Sequence, residues 1–583
     1  MASMNDKMNE LVQFSPVAGR LTLENVPGKA SQKIEHENDI HAANGTDRTM
    51  YVYAPVSGCP DAKQNQVLIV LRDEDSEQSA ETLLDQLGLK KLSEEEHFLV
   101  LFPNPAASGW NYGEVMCYDN DMDFLGRCFG ALRSSTVGVN GFNGMTYYIG
   151  TTPGSSALLM TMAVRRPISV PAMMIGAFPE DYRIPETAET VETAAWVCCN
   201  PQAEAYLKRA NGVSVEETDG SAMIYYGKNP NCRLITSASG IDSCTAALAW
   251  DRLFSLTRRW QNDTNGTYQK RTMFTGRGFT AHVKDTSLGC NDGFAHTWYE
   301  YIPPQLRGTG EKVPLVFYFH GVNCVPLYGA EQSGWQDVAD RENLIVVFPA
   351  PAINKAWNIG NDPRMPSDFA FVLALIQHMK QVHPIDETRI YATGFSMGGM
   401  MTHAITAVYP EIFAGAAPCN AFDFAYFKKP GELPGPKSED DAEYTVQHGR
   451  ADARRAEKDF RMPMFQNVGY NDDLIASWPI TAETDDTRTK TIARWMDINN
   501  IGELRLDEKN LNHIASDEAF YEDEEQRFFH QRWRSKDAGA PVLYEMMTLK
   551  RMPHAIVPRQ IEYAWEFLKK FRRMPDGSLR IEG

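Results

Sequence analysis

Residues 389–410, RIYATGFSMGGMMTHAITAVYP, decide how the rest of the chain is read. Residues 389–393 have the composition of a short buried strand, and Met397 onward carries apolar residues at helical spacing. Between them stands Gly394-Phe395-Ser396-Met397-Gly398, a G-x-S-x-G pattern in strand–turn–helix context. Such a turn is tight and strained. Small residues two before and two after the serine let the strand and helix backbones pass closely, which leaves Oγ exposed. The helix N-terminus then aims amide donors and the positive end of its dipole at charge developing beside Ser396. A glycine-rich turn that merely holds a serine has the same local pattern, so the reading depends on what the chain supplies downstream.

A serine hydroxyl needs a base within hydrogen-bond reach and a carboxylate to fix that base's tautomer. After Ser396, residues 463–469 read as a buried strand ending in Tyr470-Asn471-Asp472-Asp473. A carboxylate just past the end of a strand suits the acid, and Asp472 is preferred over Asp473. A further strand, 543–550, leads to His554 and then to a helix over 559–572, which suits a general base. His403 falls within the helix after Ser396 and reads as a packed or capping residue. His448, His513 and His530 fall in polar segments and read as surface residues. For an oxyanion, one donor is expected from the Met397 N–H and a second from Val322, in the loop His320-Gly321-Val322-Asn323 after strand 315–319. His320 is expected to support that loop, with Gly321 letting the backbone come close to substrate.

The chain has an internal repeat. FPNPAASGWN from Phe102 faces FPAPAINKAWN from Phe348, and Gly150-Thr151-Thr152-Pro153-Gly154 faces Gly394–Gly398. Ala249-Trp250 likewise faces Ala564-Trp565. Alternating strands and helices in each half imply a mostly parallel sheet with helices on both faces. The expected division is a polar lead-in at 1–48, a first domain at 49–262 and a second at 263–583, with a turn-rich linker at 261–268. The halves differ where chemistry would sit. Thr152 stands in place of Ser396, and Pro153 after it has no N–H to donate. Arg72-Asp73 replaces His320-Gly321, and Ser239 replaces His554. The first half is therefore expected to be non-catalytic.

At 583 residues the chain allows two to four domains, and 43% hydrophobic with 23% charged residues is ordinary for a globular protein. Its longest apolar runs are far short of a membrane span, and the N-terminal MASMNDKMNELVQF lacks the pattern of a secretory signal. Ten sparse cysteines without a CxxC pair suggest reduced thiols in a cytoplasmic protein rather than a disulfide framework or zinc ribbon. A net charge of −19 argues against nucleic acid or an anionic membrane as partner. No metal-ligand constellation and no phosphate-cradling glycine loop followed by lysine is present, so neither a metal nor another cofactor is expected. A homo-oligomer is left open.

The segments PLVFYFHG, SGWQDVADRENLIVVFP, AWN, DETRIYATGFSMGGMMTH, PEIFAGAAP and the late His554 resemble the polyhydroxybutyrate depolymerase-like and feruloyl or acetylxylan esterases of the α/β-hydrolase superfamily. The resemblance runs from about His296 to Lys570. It implies tandem α/β-hydrolase domains, the first degenerate, with Ser396, His554 and Asp472 as triad and Trp357 near the acyl or polymer site. The implied substrate is a small-molecule or oligomeric ester. Members of the family often carry a cysteine after the His-Gly pair and another before the Trp-Asn; Val322 and Ala356 stand there instead. The Ser396–His554 interval is much longer than its counterpart Thr152–Ser239, and the excess is expected as cap or lid insertions at 423–461 and 478–539. Two alternatives remain: an oligopeptidase-type serine peptidase, since amides and esters share the triad, and a non-catalytic binding or scaffold protein.

Overall fold

A computed structural model describes residues 14–582 except 15, 29–44, 60–64, 74–76, 113–120, 140, 188–189, 262, 271–277, 289, 291–293, 353–355, 360–365, 423–459, 473, 475–486 and 523–525. The chain divides into two units, Asn9–Arg271 and Thr272–Gly583.

In the first unit the strands are β1 (Leu21–Val26), β2 (Arg48–Tyr53), β3 (Asn65–Leu71), β4 (Leu99–Pro103), β5 (Gly141–Gly150), β6 (Ala172–Ile175), β7 (Ala194–Cys198), β8 (Val215–Asp219), β9 (Ala222–Tyr226) and β10 (Arg233–Ser237). They form one sheet in the order β1-β2-β4-β3-β5-β6-β7-β10-β9-β8. A hairpin of β11 (Thr257–Trp260) and β12 (Thr267–Lys270) follows. The second unit repeats this plan. Its strands are β13 (Phe279–Asp285), β14 (His296–Tyr301), β15 (Val313–Phe319), β16 (Ile345–Ala350), β17 (Ile385–Phe395), β18 (Gly415–Cys419), β19 (Met464–Gly469), β20 (Glu518–Tyr521), β21 (Phe528–Arg534) and β22 (Val542–Leu549). Their order is β13-β14-β16-β15-β17-β18-β19-β22-β21-β20, and a hairpin of β23 (Phe571–Arg573) and β24 (Leu579–Ile581) closes the unit.

In the second sheet the strands from β16 to β22 pair in parallel, while β13, β14, β20 and β21 pair antiparallel at the two edges. Composition explains this arrangement. Every residue of β15, VPLVFYF, is buried, as a strand covered by helices on both faces requires. Helix Asp368–Val382 places Phe371, Val372, Leu375, Ile376 and Met379 in the core with β15 and β17.

Three expectations are corrected. The 1–48 lead-in supplies β1, which pairs with β2 over its full length and so belongs to the first sheet. The 261–268 segment is no linker between units: it runs into β12 of the first unit's hairpin, where the Tyr147 hydroxyl donates to Thr257 O at 2.7 Å and fastens the hairpin to β5. Finally, the described part of the expected 478–539 cap is sheet and core. Helix Thr487–Ile498 buries Ile492 and Trp495 against the central strands, while β20 and β21 continue the sheet beyond β22. The antiparallel edge of β22 offers β21 its backbone partners, and β21 in turn offers them to β20. Of the 423–461 insertion, all but Phe460 and Arg461 lie outside the described residues.

Candidate active site

β17 ends at Phe395 and helix Met397–Val408 begins two residues later, so the whole reversal is made at Ser396. That residue has φ 55 and ψ −124, a region costly for any side chain with a Cβ and held only when the surroundings over-determine it. The surroundings do so. The Ser396 N–H donates to Cys419 O at 2.9 Å, and Ser396 O accepts from Met400 N at 3.0 Å. Gly398 permits the close crossing: a Cβ there would lie 1.9 Å from Phe319 O. The Met397 amide opens the helix, where first-turn N–H groups lack an intrahelical acceptor.

The loop after β15 lies against this turn. A Cβ on Gly321 would stand 3.3 Å from the Ser396 Cβ. Val322, next along, is 44% exposed. His320 is buried, with Nδ1 2.8 Å from Gly321 O, and its own carbonyl accepts from Trp357 Nε1 at 2.8 Å. Trp357 is thus not positioned as a wall of an open site. It is 2% exposed, packs edge-on to Phe319, and holds the loop from behind. Asn358 N in turn donates to Asp368 Oδ2 at 2.6 Å, tying this segment to the next helix.

Asp472 and His554 are brought together from elements far apart in sequence. Asp472 follows β19, is 1% exposed, and has Oδ2 2.7 Å from His554 Nδ1; its Oδ1 accepts from Leu474 N at 3.1 Å. Asp473 lies outside the described residues. His554 sits between β22 and helix Pro558–Leu568, and its ring packs 4.8 Å from that of Phe395, the residue before Ser396. With Nδ1 engaged by the carboxylate, Nε2 is the nitrogen left for proton transfer.

Other histidines take different places. His403 is buried; its Nδ1 accepts from Trp495 Nε1 at 2.9 Å, and burial depresses its pKa to about 4. His530 is not on the surface as expected but 2% exposed, with Nδ1 2.8 Å from Glu545 Oε1, because β21 is covered on that face. His513 is half-buried, and His448 lies outside the described residues.

Sequence reasoning overlooked the supports, Cys419 O and Asp368. One signal for the latter was in the chain. Asn111 N donates to Asp121 Oδ2 in the first unit as Asn358 N does to Asp368, across the same ten residues. The Trp110 indole N–H also donates to Arg72 O at 3.0 Å, as that of Trp357 does to His320 O. At Thr152 the first unit has extended backbone, φ −128 and ψ 163. Its side chain caps helix Pro153–Arg165 by accepting from Ser155 N, and Oγ1 donates to Asp73 Oδ1 at 2.7 Å.

Among the described residues no helix is long and apolar enough to cross a membrane, and no group of three or more His, Cys, Asp or Glu side chains is arranged to hold a metal ion. Residues 366–473, from just ahead of helix Asp368–Val382 to Asp473, match the prolyl oligopeptidase family. The chain is 33% identical over 141 residues to poly(3-hydroxyalkanoate) depolymerase C of Paucimonas lemoignei, covering 23% of this chain and 33% of that one. It is 30% identical over 129 residues to feruloyl esterase B of Thermothelomyces thermophilus, covering 20% and 42% respectively. Among solved structures, an acetyl xylan esterase from Aspergillus awamori aligns with TM-score 0.35 and 15% identity over 50% of this chain and 98% of that one. The chain thus spans well under half the length of the curated relatives it matches. By sequence, then, this chain is similar to the α/β-hydrolase esterases.

Proposed function

We propose that the chain is a serine carboxylic-ester hydrolase with one working site, in its second unit, and that the first unit is a duplicated copy without catalytic function. The observation that carries this is the buried Asp472 held 2.7 Å from His554 Nδ1, with the His554 ring packed beside the strained Ser396 turn. Ser396 Oγ attacks the ester carbonyl while His554 takes its proton. The Met397 and Val322 amides receive the oxyanion, and the tetrahedral intermediate collapses as His554 returns the proton to the departing alcohol. Water, deprotonated by His554, then attacks the acyl-enzyme and releases the acid. Asp472 holds the imidazole's tautomer and stabilises the imidazolium. His320, Gly321 and Trp357 shape and hold the loop that bears the second donor.

The relatives' names point to acetyl, hydroxycinnamoyl or short hydroxyacyl esters as the substrate class. The match to the prolyl oligopeptidase family favours a second reading, a peptidase using the same groups. An ester panel (p-nitrophenyl acetate and butyrate, methyl ferulate, a hydroxybutyrate oligomer) run beside aminopeptide substrates separates the two. With wild type, Ser396→Ala and Thr152→Ala, ester turnover should vanish only in Ser396→Ala, by roughly 10⁴-fold or more. Turnover that survives Ser396→Ala overturns the site, and turnover of peptides alone overturns the esterase reading.

A further inference from the structure

We infer that Asn420 is a positioning residue that sets the register between the base, the acid and the nucleophile; the inference rests on the Ser396–His554–Asp472 reading. Asn420 directly follows β18 and is fully buried. Its φ of 46 lies in the left-handed region, which asparagine tolerates better than most residues. Every polar group of the side chain is spent on one of the two loops that meet at the site. Oδ1 accepts from Gly469 N at 2.9 Å, at the end of the strand that leads to Asp472. Nδ2 donates to Ala555 O at 2.8 Å and lies 3.5 Å from Pro553 O, so it grips the residues on either side of His554. The Asn420 N–H donates to Asn467 O at 2.9 Å, and the preceding carbonyl, Cys419 O, accepts the Ser396 N–H. Residues 419–420 therefore contact the carriers of all three reacting groups.

The loops come together closely at this point. A Cβ on Gly469 would stand 2.5 Å from Met552 O and 2.7 Å from Pro553 O, so the acid's strand runs directly against the base's loop. Backbone groups do part of the joining: Tyr470 N donates to Leu549 O at 2.8 Å and Asn471 N to Met552 O at 3.0 Å. Those bonds stop short of His554. Beyond Met552, Pro553 O accepts from Ala555 N at 2.7 Å within the loop, and Ala555 O accepts from the Asn420 amide. The first unit shows what is lost without it. In the sheets Tyr147 pairs with Ala172 and Tyr391 with Gly415, and counting on from these pairs places Ala177 where Asn420 stands. Alanine can make none of the side-chain bonds, and that unit has neither the serine nor the histidine for them to align.

Positioning at this scale is worth a large factor in rate, since a misplacement of about 1 Å can cost roughly 100-fold. The test is Asn420→Gly, which suits the positive φ while deleting the side chain, with Asn420→Asp as a second variant that keeps the volume and sets a carboxylate oxygen against the Ala555 carbonyl. Steady-state kinetics on the best ester of the panel are measured across pH, normalised to the folded fraction by a fluorophosphonate titration of Ser396. The expected result is a fall in kcat of roughly 10- to 100-fold with KM within about threefold. The acid limb of kcat/KM should move to lower pH in Asn420→Gly as the imidazolium loses part of its support from Asp472. Asn420→Asp should lose at least as much kcat. Wild-type kcat and an unmoved pH profile in Asn420→Gly would overturn the inference, as would loss of fold in both variants, which would make Asn420 structural only. If Ser396→Ala keeps its activity, the site itself is misread; if Ser396→Ala is dead and Asn420→Gly is normal, only the positioning role fails.

Discussion

Thr152 and Ser396 occupy the same place in two sheets of identical strand order, yet their backbones differ completely. At Thr152 the chain is extended and the hydroxyl is turned back to cap its own helix and meet Asp73. At Ser396 the chain is forced to φ 55, makes no side-chain cap, and takes its bracing from Cys419 instead. Capping stabilises a helix by about 1 kcal/mol, whereas a strained residue costs on the order of 1–3 kcal/mol. The first unit settles into the favourable arrangement, and the second forgoes it. Two supports around the turns are nonetheless shared, the Trp110–Arg72 and Trp357–His320 bonds and the paired Asn–Asp contacts.

That comparison can be broken most forcefully by exchanging the two residues. Ser396→Thr adds a β-branch where φ is positive and should lower kcat/KM by roughly 10³-fold or more. Thr152→Ser should leave turnover unchanged, since Pro153 offers no amide and Ser239 no base. Turnover that appears in a Thr152→Ser, Ser396→Ala double variant would refute the asymmetry.

A smaller effect should separate the two tryptophans. Trp357→Phe removes the bond to His320 O and loosens the loop that bears Val322, which should reduce kcat about tenfold, the rate equivalent of a buried hydrogen bond. Trp110→Phe removes the matching bond to Arg72 O and should lower the melting temperature by a few degrees with no change in kcat. Equal kinetic losses in both would mean that the tryptophans act only through stability.

The smallest effect is on stability against pH. By the same count His403 stands where the first unit has Leu159, buried and without charge. Burial depresses the pKa of His403 to about 4, so folded protein keeps it neutral while unfolded chain takes up a proton near pH 6.5. Its contribution is therefore fully present above about pH 6.5 and is lost as pH falls toward 4, by roughly 3 kcal/mol in total. Denaturant unfolding of His403→Gln should show that much less dependence on pH across this window. An unchanged slope would place the titration elsewhere.

Much of the site was legible because its signals are local. A strand, a glycine-flanked serine and an apolar helix lie in one short run, and the expected order of serine, acid and histidine came from the fold that this run implies. What misled was distance. Residues 478–539 are charged and interspersed with aromatics, which reads as a surface cap until β22 is seen to offer an open edge for β21. The family resemblance put Trp357 near the acyl or polymer site, whereas its buried indole N–H donates to His320 O. Asn420 carried no local sign, because its partners are Gly469, Pro553 and Ala555.

The amino-acid sequence by itself determined the repeated strand–helix plan, the position of Ser396 on a tight turn, and the presence of Thr152 and Pro153 where Ser396 and Met397 stand. Backbone sterics and hydrophobic period act over a few residues, and both can be read along the chain. Only the tertiary structure decided that Asp472 meets His554, that Trp357 faces inward, and that residues 419–420 brace the site. Those outcomes depend on which strands become neighbours in the sheet, and that is set by burying the whole core at once rather than by any one segment.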